Sequence, residues 1–367
     1  MSSLPDAQAA ATQFQFRGAI SGLTPHGGGH INDTFLVTCQ APGAQARYIL
    51  QHINRHVFHD PIAVMQNIER VTAHLAIEEA GQPDRARRAL QLVPAQDGRN
   101  WFVDAQGETW RAYRLIENAL TYETATSTDQ AFQAARAFGH FQQQLASLPP
   151  PRLHETIPDF HNTPKRFAAL ENAIAQAISA DAAGRAPFAQ PEIDFARSRQ
   201  AIAGVLLSAN LPERITHNDT KFNNVLLDDK TGEAVCVIDL DTVMPGLALY
   251  DFGDMVRTTT SPAKEDEQDL TLVTMQFPMF EALVRGYLES AGAFLTPAER
   301  ELLAFSGKVI TFEIGIRFLT DYLAGDTYFK VHREGHNLDR CRAQFKLVES
   351  IEQQEEKMNR LVESVAG

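Results

Sequence analysis

Residues 214–243 read RITHNDTKFNNVLLDDKTGEAVCVIDLDTV, and this stretch decides the fold. The apolar runs VLL and AVCVIDL flank DDKTGE, an arrangement typical of a β-hairpin whose turn contains Asp and Gly. His217, Asp219 and Asn224 precede the first predicted strand, and Asp239 ends the second. We therefore expect the hairpin to bring these polar side chains together.

This set of side chains fits the chemistry of phosphoryl transfer from a nucleotide. One carboxylate orients the attacking hydroxyl and accepts its proton, and oxygen ligands hold Mg²⁺ on the phosphates. Asp219 fits the first role. Asn224 follows it by five residues, as the metal-ligand Asn does in protein kinases, and Asp239 fits the second ligand. The alternative interpretation is that Asp and Asn are common in turns.

A second motif, DFG at residues 251–253, matches the metal signature of protein kinases. It would make Asp251 the metal ligand in place of Asp239. Because Asp251 comes after the hairpin and a loop and precedes a predicted helix, we interpret it as a helix N-cap or as a brace for the catalytic loop.

Composition and length limit the class of protein. The chain has 367 residues, of which 44% are hydrophobic, enough for two cores. A net charge of −13 argues against binding to nucleic acid or anionic membranes. No apolar run approaches eighteen residues, and the N-terminus lacks a signal-peptide pattern, so we expect a soluble cytoplasmic protein. Three scattered cysteines fit a reducing compartment.

The predicted secondary structure changes near residue 117. Before it lie strand-like runs and one helical stretch, PIAVMQNIERVTAHLAIEEAG, which predict a small sheet with one helix. Beyond it the chain is mostly helical, as in AFQAARAFGHFQQQLASL, where apolar residues recur at spacings of three and four. We predict an α+β protein with an N-terminal lobe at residues 1–116 and a C-terminal catalytic and substrate-binding lobe at residues 117–367.

The motifs HNDTKFNN, VIDLDTVMPG and YDFGDMVR resemble those of the aminoglycoside phosphotransferase and choline kinase family. The resemblance implies a bilobal protein-kinase-like fold, with a small antiparallel-sheet lobe and a mostly helical lobe. More narrowly, GHIND, RYILQ, GHNLDR and IRFLTDYLAGDTYF resemble bacterial N-acetylhexosamine 1-kinases. Those enzymes phosphorylate the anomeric (C1) hydroxyl of N-acetylglucosamine or N-acetylgalactosamine with ATP and Mg²⁺.

The resemblance also implies roles for individual residues. Asp219 is the implied catalytic base, and Asn224 and Asp239 are the implied magnesium ligands. The implied sugar contacts are Asp241, Thr242, Arg317 and Tyr328. By itself, an arginine on a buried helix such as Arg317 indicates either a ligand-binding residue or an internal salt bridge. Tyr328 fits a sugar contact and a core position equally well.

The nucleotide is expected to bind in the first lobe. The glycine-rich segment PHGGGHIND can approach the phosphates, although it is also a common hairpin turn. Adenine is expected against the connection between the lobes. The third strand carries Gln51 where protein kinases have a lysine, which leaves the partner of Glu69 open. The predicted nucleotide contacts are Gly28, Gly29, His30, Gln51, Leu115, Ile116 and Glu117.

Lys221, two residues past Asp219, is our preferred replacement for the missing lysine, with Arg47 and Arg55 as alternatives. Two other functions stay open: a kinase of the same fold acting on an aminoglycoside, amino alcohol or other sugar, and a kinase-like binding protein without activity. Choline would need an aromatic cage, which the substrate-binding stretches do not show. The expected partners are ATP and a small sugar, in a monomer or small homo-oligomer that binds neither nucleic acid nor membrane.

Overall fold

The computed structural model describes residues 3–27, 31–41, 43–180 and 184–366. The chain forms two compact units. The sheet unit comprises Met1–Leu120, Gln144–Pro158 and Leu226–Pro245, and the helical unit comprises Thr121–Gln143, Asp159–Val225 and Gly246–Gly367. Neither unit is continuous in sequence. The lobes expected from the sequence, 1–116 and 117–367, stay a prediction.

The sheet unit is built on an antiparallel sheet of five strands in the order β1-β2-β3-β5-β4. Side chains alternate along β2, so that Phe35, Val37 and Cys39 enter the core while their neighbours are more exposed. In register, Gln51 of β3 lies opposite Arg111 of β5. The five strands are β1 (Ala19–Pro25), β2 (Asp33–Ala41), β3 (Ala44–Ile53), β4 (Phe102–Val103) and β5 (Thr109–Arg114).

Three helices accompany this sheet: α1 (Leu4–Ala11), α2 (Pro61–Glu78) and the short α3 (Arg85–Arg88). The sequence predicted α2, which begins after the N-cap Asp60 with a proline in its first turn. It did not predict α1. That helix begins with a capping box between Ser3 and Asp6 and is rich in alanine, so a local signal for it exists.

The predicted hairpin is confirmed. It consists of β8 (Val225–Asp228) and β9 (Ala234–Val237), which are neighbours in a three-stranded sheet of order β6-β8-β9 with β6 (Ala119–Leu120). The Asp228 carboxylate accepts from the backbone N–H groups of Lys230 and Thr231, which closes the turn. The remaining short strands are β7 (Arg214–Thr216) and β10 (Met244–Gly246).

The rest of the chain is mostly helical, as predicted. Helix α12 (Leu303–Leu323) is largely buried, and its apolar side chains recur on all faces and fill the core of the helical unit. Short 3-10 turns occur at Gln200–Gly204, Phe222–Asn224, Leu240–Thr242 and Leu270–Leu272. The remaining helices are α4 (Thr128–Leu145), α5 (Thr163–Ala180), α6 (Arg185–Phe188), α7 (Gln190–Ser198), α8 (Val205–Ser208), α9 (Ala248–Thr259), α10 (Phe277–Ala291), α11 (Pro297–Glu301), α12 (Leu303–Leu323) and α13 (His336–Ala366).

None of the described helices has both the length and the apolar character that crossing a bilayer requires. All three cysteines are unpaired and buried, which agrees with their interpretation as small core residues.

Candidate active site

The loop between β7 and β8 carries the predicted catalytic residues of the helical unit. Asn218 has a φ of 65°, a left-handed conformation that asparagine tolerates better than most residues. The carboxylate of Asp251 accepts hydrogen bonds from the N–H groups of His217 at 2.9 Å and Asn218 at 2.7 Å. The hydroxyl of Thr220 donates to the Asp251 carbonyl at 2.7 Å. Asp251 therefore fixes the backbone just before Asp219.

Asp251 lies in the first turn of α9, after the N-cap residue Leu247, so it is not the N-cap. Gln142 of α4 donates to the same carboxylate at 2.6 Å, and the Tyr287 hydroxyl donates to Gln142. Burial raises the pKa of Asp251, while the His217 ring and the bonds from the loop oppose that shift. The brace inferred from the sequence is confirmed, and the N-cap alternative is wrong because α9 begins three residues earlier.

The Asp219 carboxylate lies 2.9 Å from the ammonium of Lys221, and its side chain is 24% exposed. Burial raises the pKa of Asp219, but the charge and hydrogen bond of Lys221, together with the charges of His217 and Arg257, outweigh burial and lower that pKa below its ordinary value. Asp219 is thus ionised at neutral pH. Asn224 donates from Nδ2 to the Asp219 carbonyl at 2.8 Å and to its carboxylate at 3.2 Å. Asp219, Lys221 and Asn224 are therefore neighbours.

The residues predicted to bind magnesium have the right donor atoms. Asn224 uses its amide nitrogen within the loop, which leaves its Oδ1 as an oxygen donor. Across the described ranges, no group of three or more His, Cys, Asp or Glu could by itself hold a metal ion. Mg²⁺ in phosphoryl-transfer sites takes one or two protein oxygens and completes its shell with phosphates and water. An Asn and an Asp fit that pattern.

Asp239 and Asp241 belong to the sheet unit and differ in environment. Asp239 is exposed and has a φ of 60°, two residues beyond β9 and at the start of a 3-10 turn. Asp241 is buried, and its carboxylate bonds to the guanidinium of Arg111 and the side-chain amide of Asn32. Thr242 is buried beside it. The metal role of Asp239 and the sugar roles of Asp241 and Thr242 stay predictions.

The predicted nucleotide contacts also lie in the sheet unit. Gln51 donates to the Thr34 hydroxyl at 3.1 Å and accepts from Arg111 at 2.9 Å. Leu115 and Ile116 follow β5, and the Glu117 carboxylate pairs with Arg47. Gly28, Gly29 and His30 lie outside the described residues. All seven assignments stay predictions.

Arg317 of α12 is half-buried and makes no ion pair with any residue in the described parts of the chain. Its guanidinium instead lies over the rings of Phe160, at 5.3 Å, and Phe329, at 5.7 Å. The charge of Arg317 also helps to lower the pKa of Glu313, one helical turn earlier on α12, so the alternative of an internal electrostatic partner for Arg317 stays open. Tyr328 is 64% exposed rather than a core residue. The Asp321 carboxylate holds its loop by accepting from the N–H groups of Thr327, Tyr328 and Phe329.

The structure adds residues that the sequence analysis missed. His161 bonds through Nδ1 to Glu313 of α12 at 2.8 Å, and its Nε2 faces the Asn218 carbonyl at 3.4 Å. Burial raises the pKa of Glu313, but His161, the charge of Arg317 and the hydrogen bond from Thr163 together outweigh burial, so that the pKa is lowered. Phe160 and Arg111 were also missed. Arg111 could have been noticed in the sequence, because it is a charged residue within the otherwise largely apolar strand WRAYR. Phe160 and His161 could not, because their partners lie far away in sequence.

Solved structures share this fold across nearly the whole chain. An aminoglycoside phosphotransferase from Alicyclobacillus acidocaldarius has a TM-score of 0.59 at 13% identity, covering 100% of this chain and 96% of that one. A spectinomycin phosphotransferase solved with ADP and spectinomycin has a TM-score of 0.58 at 12% identity, covering 96% and 99%. A choline/ethanolamine kinase family protein from Mesorhizobium loti has a TM-score of 0.54 at 18% identity, covering 100% of both chains.

These likenesses confirm the predicted fold, a kinase-like α+β protein with an antiparallel-sheet lobe and a helical lobe. The family follows from the sequence itself. Residues 22–295, well over half of the chain, match the model of the phosphotransferase enzyme family, APH. The protein belongs to this phosphotransferase family.

Proposed function

We propose that the protein transfers the γ-phosphoryl group of ATP, with Mg²⁺, to the anomeric (C1) hydroxyl of N-acetylglucosamine or N-acetylgalactosamine. The product is an N-acetylhexosamine 1-phosphate. The observation that carries the proposal is the ionised carboxylate of Asp219 on a braced loop, beside Lys221 and Asn224, in a chain of the phosphotransferase family. The choice of sugar rests on the motif resemblance described above.

In this proposal Asp219 orients the attacking hydroxyl and accepts its proton. Phosphoryl transfer passes through a loose transition state, so positioning and charge stabilisation contribute more than a strong base does. An ionised carboxylate of low pKa suits that task, because it accepts a hydrogen bond early and takes the proton late. The ammonium of Lys221 supplies positive charge beside the same carboxylate.

Asn224 and Asp239 are the proposed magnesium ligands, and a bound Mg²⁺ would neutralise negative charge on the phosphates. The use of a nucleotide is supported by the relative solved with ADP and spectinomycin. The proposed nucleotide contacts are those predicted from the sequence, which include Gln51 and the segment from Leu115 to Glu117.

The surroundings of Arg317 support a sugar as the acceptor. A guanidinium that makes no ion pair with a carboxylate among the described residues offers several N–H donors to hydroxyl and amide oxygens. Phe160, Phe329 and the exposed Tyr328 add apolar surface for one face of a sugar ring. The cation over these rings is Arg317 itself, which disfavours a quaternary ammonium at the same place.

An aminoglycoside or another cationic acceptor is the second candidate. The relative that binds spectinomycin and the net charge of −13 favour it. In this case Asp219, Asn224 and Asp239 keep their proposed roles, and the acceptor contacts change.

The test is release of ADP from ATP and Mg²⁺ in the presence of single acceptors. The panel is N-acetylglucosamine, N-acetylgalactosamine, unmodified hexoses, choline, spectinomycin and kanamycin. Asp219→Asn removes the proposed base, and Asp229→Asn, at an exposed position of the hairpin turn, is the matched control. Phosphate on C1 of an N-acetylhexosamine, lost in Asp219→Asn and retained in Asp229→Asn, is the expected result.

Turnover with another acceptor only would contradict the proposal that the acceptor is an N-acetylhexosamine. It would still be compatible with the proposed role of Asp219. Absence of turnover with every acceptor would favour a kinase-like binding protein.

A further inference from the structure

Arg111 is a buried cation next to the position where protein kinases carry their phosphate-binding lysine. It lies on β5, opposite Gln51 of β3 in the strand register, and its side chain is 1% exposed. Its Nε donates to Oε1 of Gln51 at 2.9 Å, and its Nη1 pairs with the carboxylate of Asp241. A positive charge is therefore present beside residue 51, although it comes from the neighbouring strand.

The ion pair between Arg111 and Asp241 connects three sequence motifs whose residues were predicted to bind the nucleotide, the metal or the sugar. Asp241 also accepts a hydrogen bond from Asn32 of the GHIND motif, next to the glycine-rich segment. Asn32 in turn accepts from the N–H of Asn54, just beyond β3. Asp241 itself lies two residues after Asp239, the proposed metal ligand. One buried pair thus connects Asn32, strand β3 and the IDLD segment.

The glutamate that would pair with the lysine in a protein kinase has a different partner in this protein. Glu69 of α2, the counterpart expected for that lysine, accepts a hydrogen bond from Asn100 at 2.8 Å. Gln51 is held on its other side by Thr34. Within the sheet unit the carboxylate partner of Arg111 is therefore Asp241, whereas Glu69 bonds to Asn100.

Stability alone does not explain why this ion pair is buried. Removing two charges from water costs about as much as their attraction returns, so apolar residues of the same size would often serve the fold equally well. Burial lowers the pKa of Arg111, but the charge of Asp241, together with that of Tyr113 and Asp239, outweighs it and raises the pKa. The charge of Arg111 thus acts on the segment that carries Asp239.

We infer that Arg111 supplies the positive charge that Gln51 cannot, and that it acts as a positioning residue for the magnesium-bound nucleotide. Through Asp241 it fixes residues 239–242, and through Gln51 it fixes the end of β3. This inference rests on the nucleotide use in the proposed function and not on the choice of acceptor.

The test is binding of ADP at fixed excess Mg²⁺, measured by calorimetry, because binding requires no acceptor. Arg111→Met leaves Asp241 buried with its hydrogen bond from Asn32 but without a compensating charge, and is expected to unfold the sheet unit or destabilise it. The decisive variant is therefore Arg111→Met with Asp241→Asn, which removes both charges and keeps the shapes similar. Arg87→Met is the matched control, because Arg87 pairs with Asp228 at 2.9 Å in the same unit but outside the proposed site.

We expect the charge-free double variant to bind Mg-ADP about 10- to 100-fold more weakly than the wild type, the usual effect of losing a residue that orients a metal ligand. Binding by Arg87→Met is expected to stay at the wild-type level. Combining Gln51→Lys with Arg111→Met moves the cation to the position used by protein kinases and is expected to restore most of the affinity. Arg111→Lys is the charge-retaining substitute if that combination does not fold.

Three results would overturn the inference. The charge-free variant could bind Mg-ADP as the wild type does, or folded charge-retaining variants could bind as weakly as the charge-free one. If the wild type binds no magnesium nucleotide, both this inference and the proposed function fail. Rescue of nucleotide binding without any phosphorylation of N-acetylhexosamines would support the inference. It would contradict only the proposal that the acceptor is an N-acetylhexosamine.

Discussion

Asp219 carries its negative charge 2.9 Å from the ammonium of Lys221, and this pairing sets the range of pH in which the carboxylate is ionised. Because the pKa of Asp219 is lowered, its ionised form is present above that lowered pKa and is lost as the pH falls through it. The pKa of Lys221 is raised mainly by Asp219, so the pair keeps both charges through the neutral range.

We predict that Lys221→Met moves the acidic limb of the kcat/KM profile to higher pH. The substitution removes the main influence that lowers the pKa of Asp219, so protonation inactivates the enzyme at a less acidic pH. We also expect kcat at neutral pH to fall about 10²-fold, as when one charge-stabilising donor is lost. The measurement is a pH series of initial rates at saturating Mg-ATP.

Lys165→Met is the control, because Lys165 pairs with Asp159 at 2.6 Å on the exposed surface. An acidic limb at the same pH in the Lys221 variant and the wild type would contradict this account of Asp219.

At the scale of elements, α9 and α12 approach closely through two glycines. A Cβ at Gly253 would lie 2.5 Å from the Ser306 carbonyl oxygen and 2.7 Å from Ile310. A Cβ at Gly307 would lie 2.6 Å from Val256. The glycine of the DFG motif therefore serves helix packing rather than a metal-binding loop. Since α9 also carries Asp251, this packing supports the brace on the catalytic loop.

We predict that Gly253→Ala lowers the free energy of unfolding by about 1–3 kcal/mol, because the added methyl group meets backbone that cannot move aside. Thermal and urea denaturation measure the change. Gly204→Ala is the matched control, because a Cβ at Gly204 meets nothing within 4 Å. Equal stability of the two variants would show that α9 and α12 pack less closely than the contacts at Gly253 and Gly307 require.

At the scale of the whole molecule, the net charge of −13 produces a field that attracts cations and repels anions. A neutral sugar does not respond to this field, whereas a polycationic aminoglycoside does. The salt dependence of kcat/KM for the acceptor therefore reports on the kind of acceptor for which the protein is suited.

We predict that kcat/KM for an N-acetylhexosamine changes less than about twofold between roughly 20 and 300 mM NaCl at saturating Mg-ATP, because screening leaves a neutral substrate unaffected. Kanamycin measured in the same series is the comparison. If it is the better acceptor and its kcat/KM falls about tenfold with salt, the aminoglycoside function replaces the sugar function.

Much of this molecule follows from local pattern. The hairpin of β8 and β9, the helix α2 and the α+β class were predictable, since alternation, helical spacing and turn residues act over a few neighbouring positions. For Asp251 the sequence predicted either a helix N-cap or a brace, and the hydrogen bonds from His217 and Asn218 decided for the brace. The spacing of Asp219 and Asn224 is likewise visible in the sequence, and their chemical roles stay predictions.

The tertiary structure decided which charges meet. Arg111 reaches Gln51 across 60 positions and Asp241 across 130, and His161 reaches Glu313 across 152. Those pairings depend on strand register and helix packing, which a list of residue types does not contain. The sequence by itself determined the elements and the polar loop, because these depend on neighbours in the chain. The tertiary structure alone decided which cation stands beside Gln51, because that depends on which strand lies next to β3.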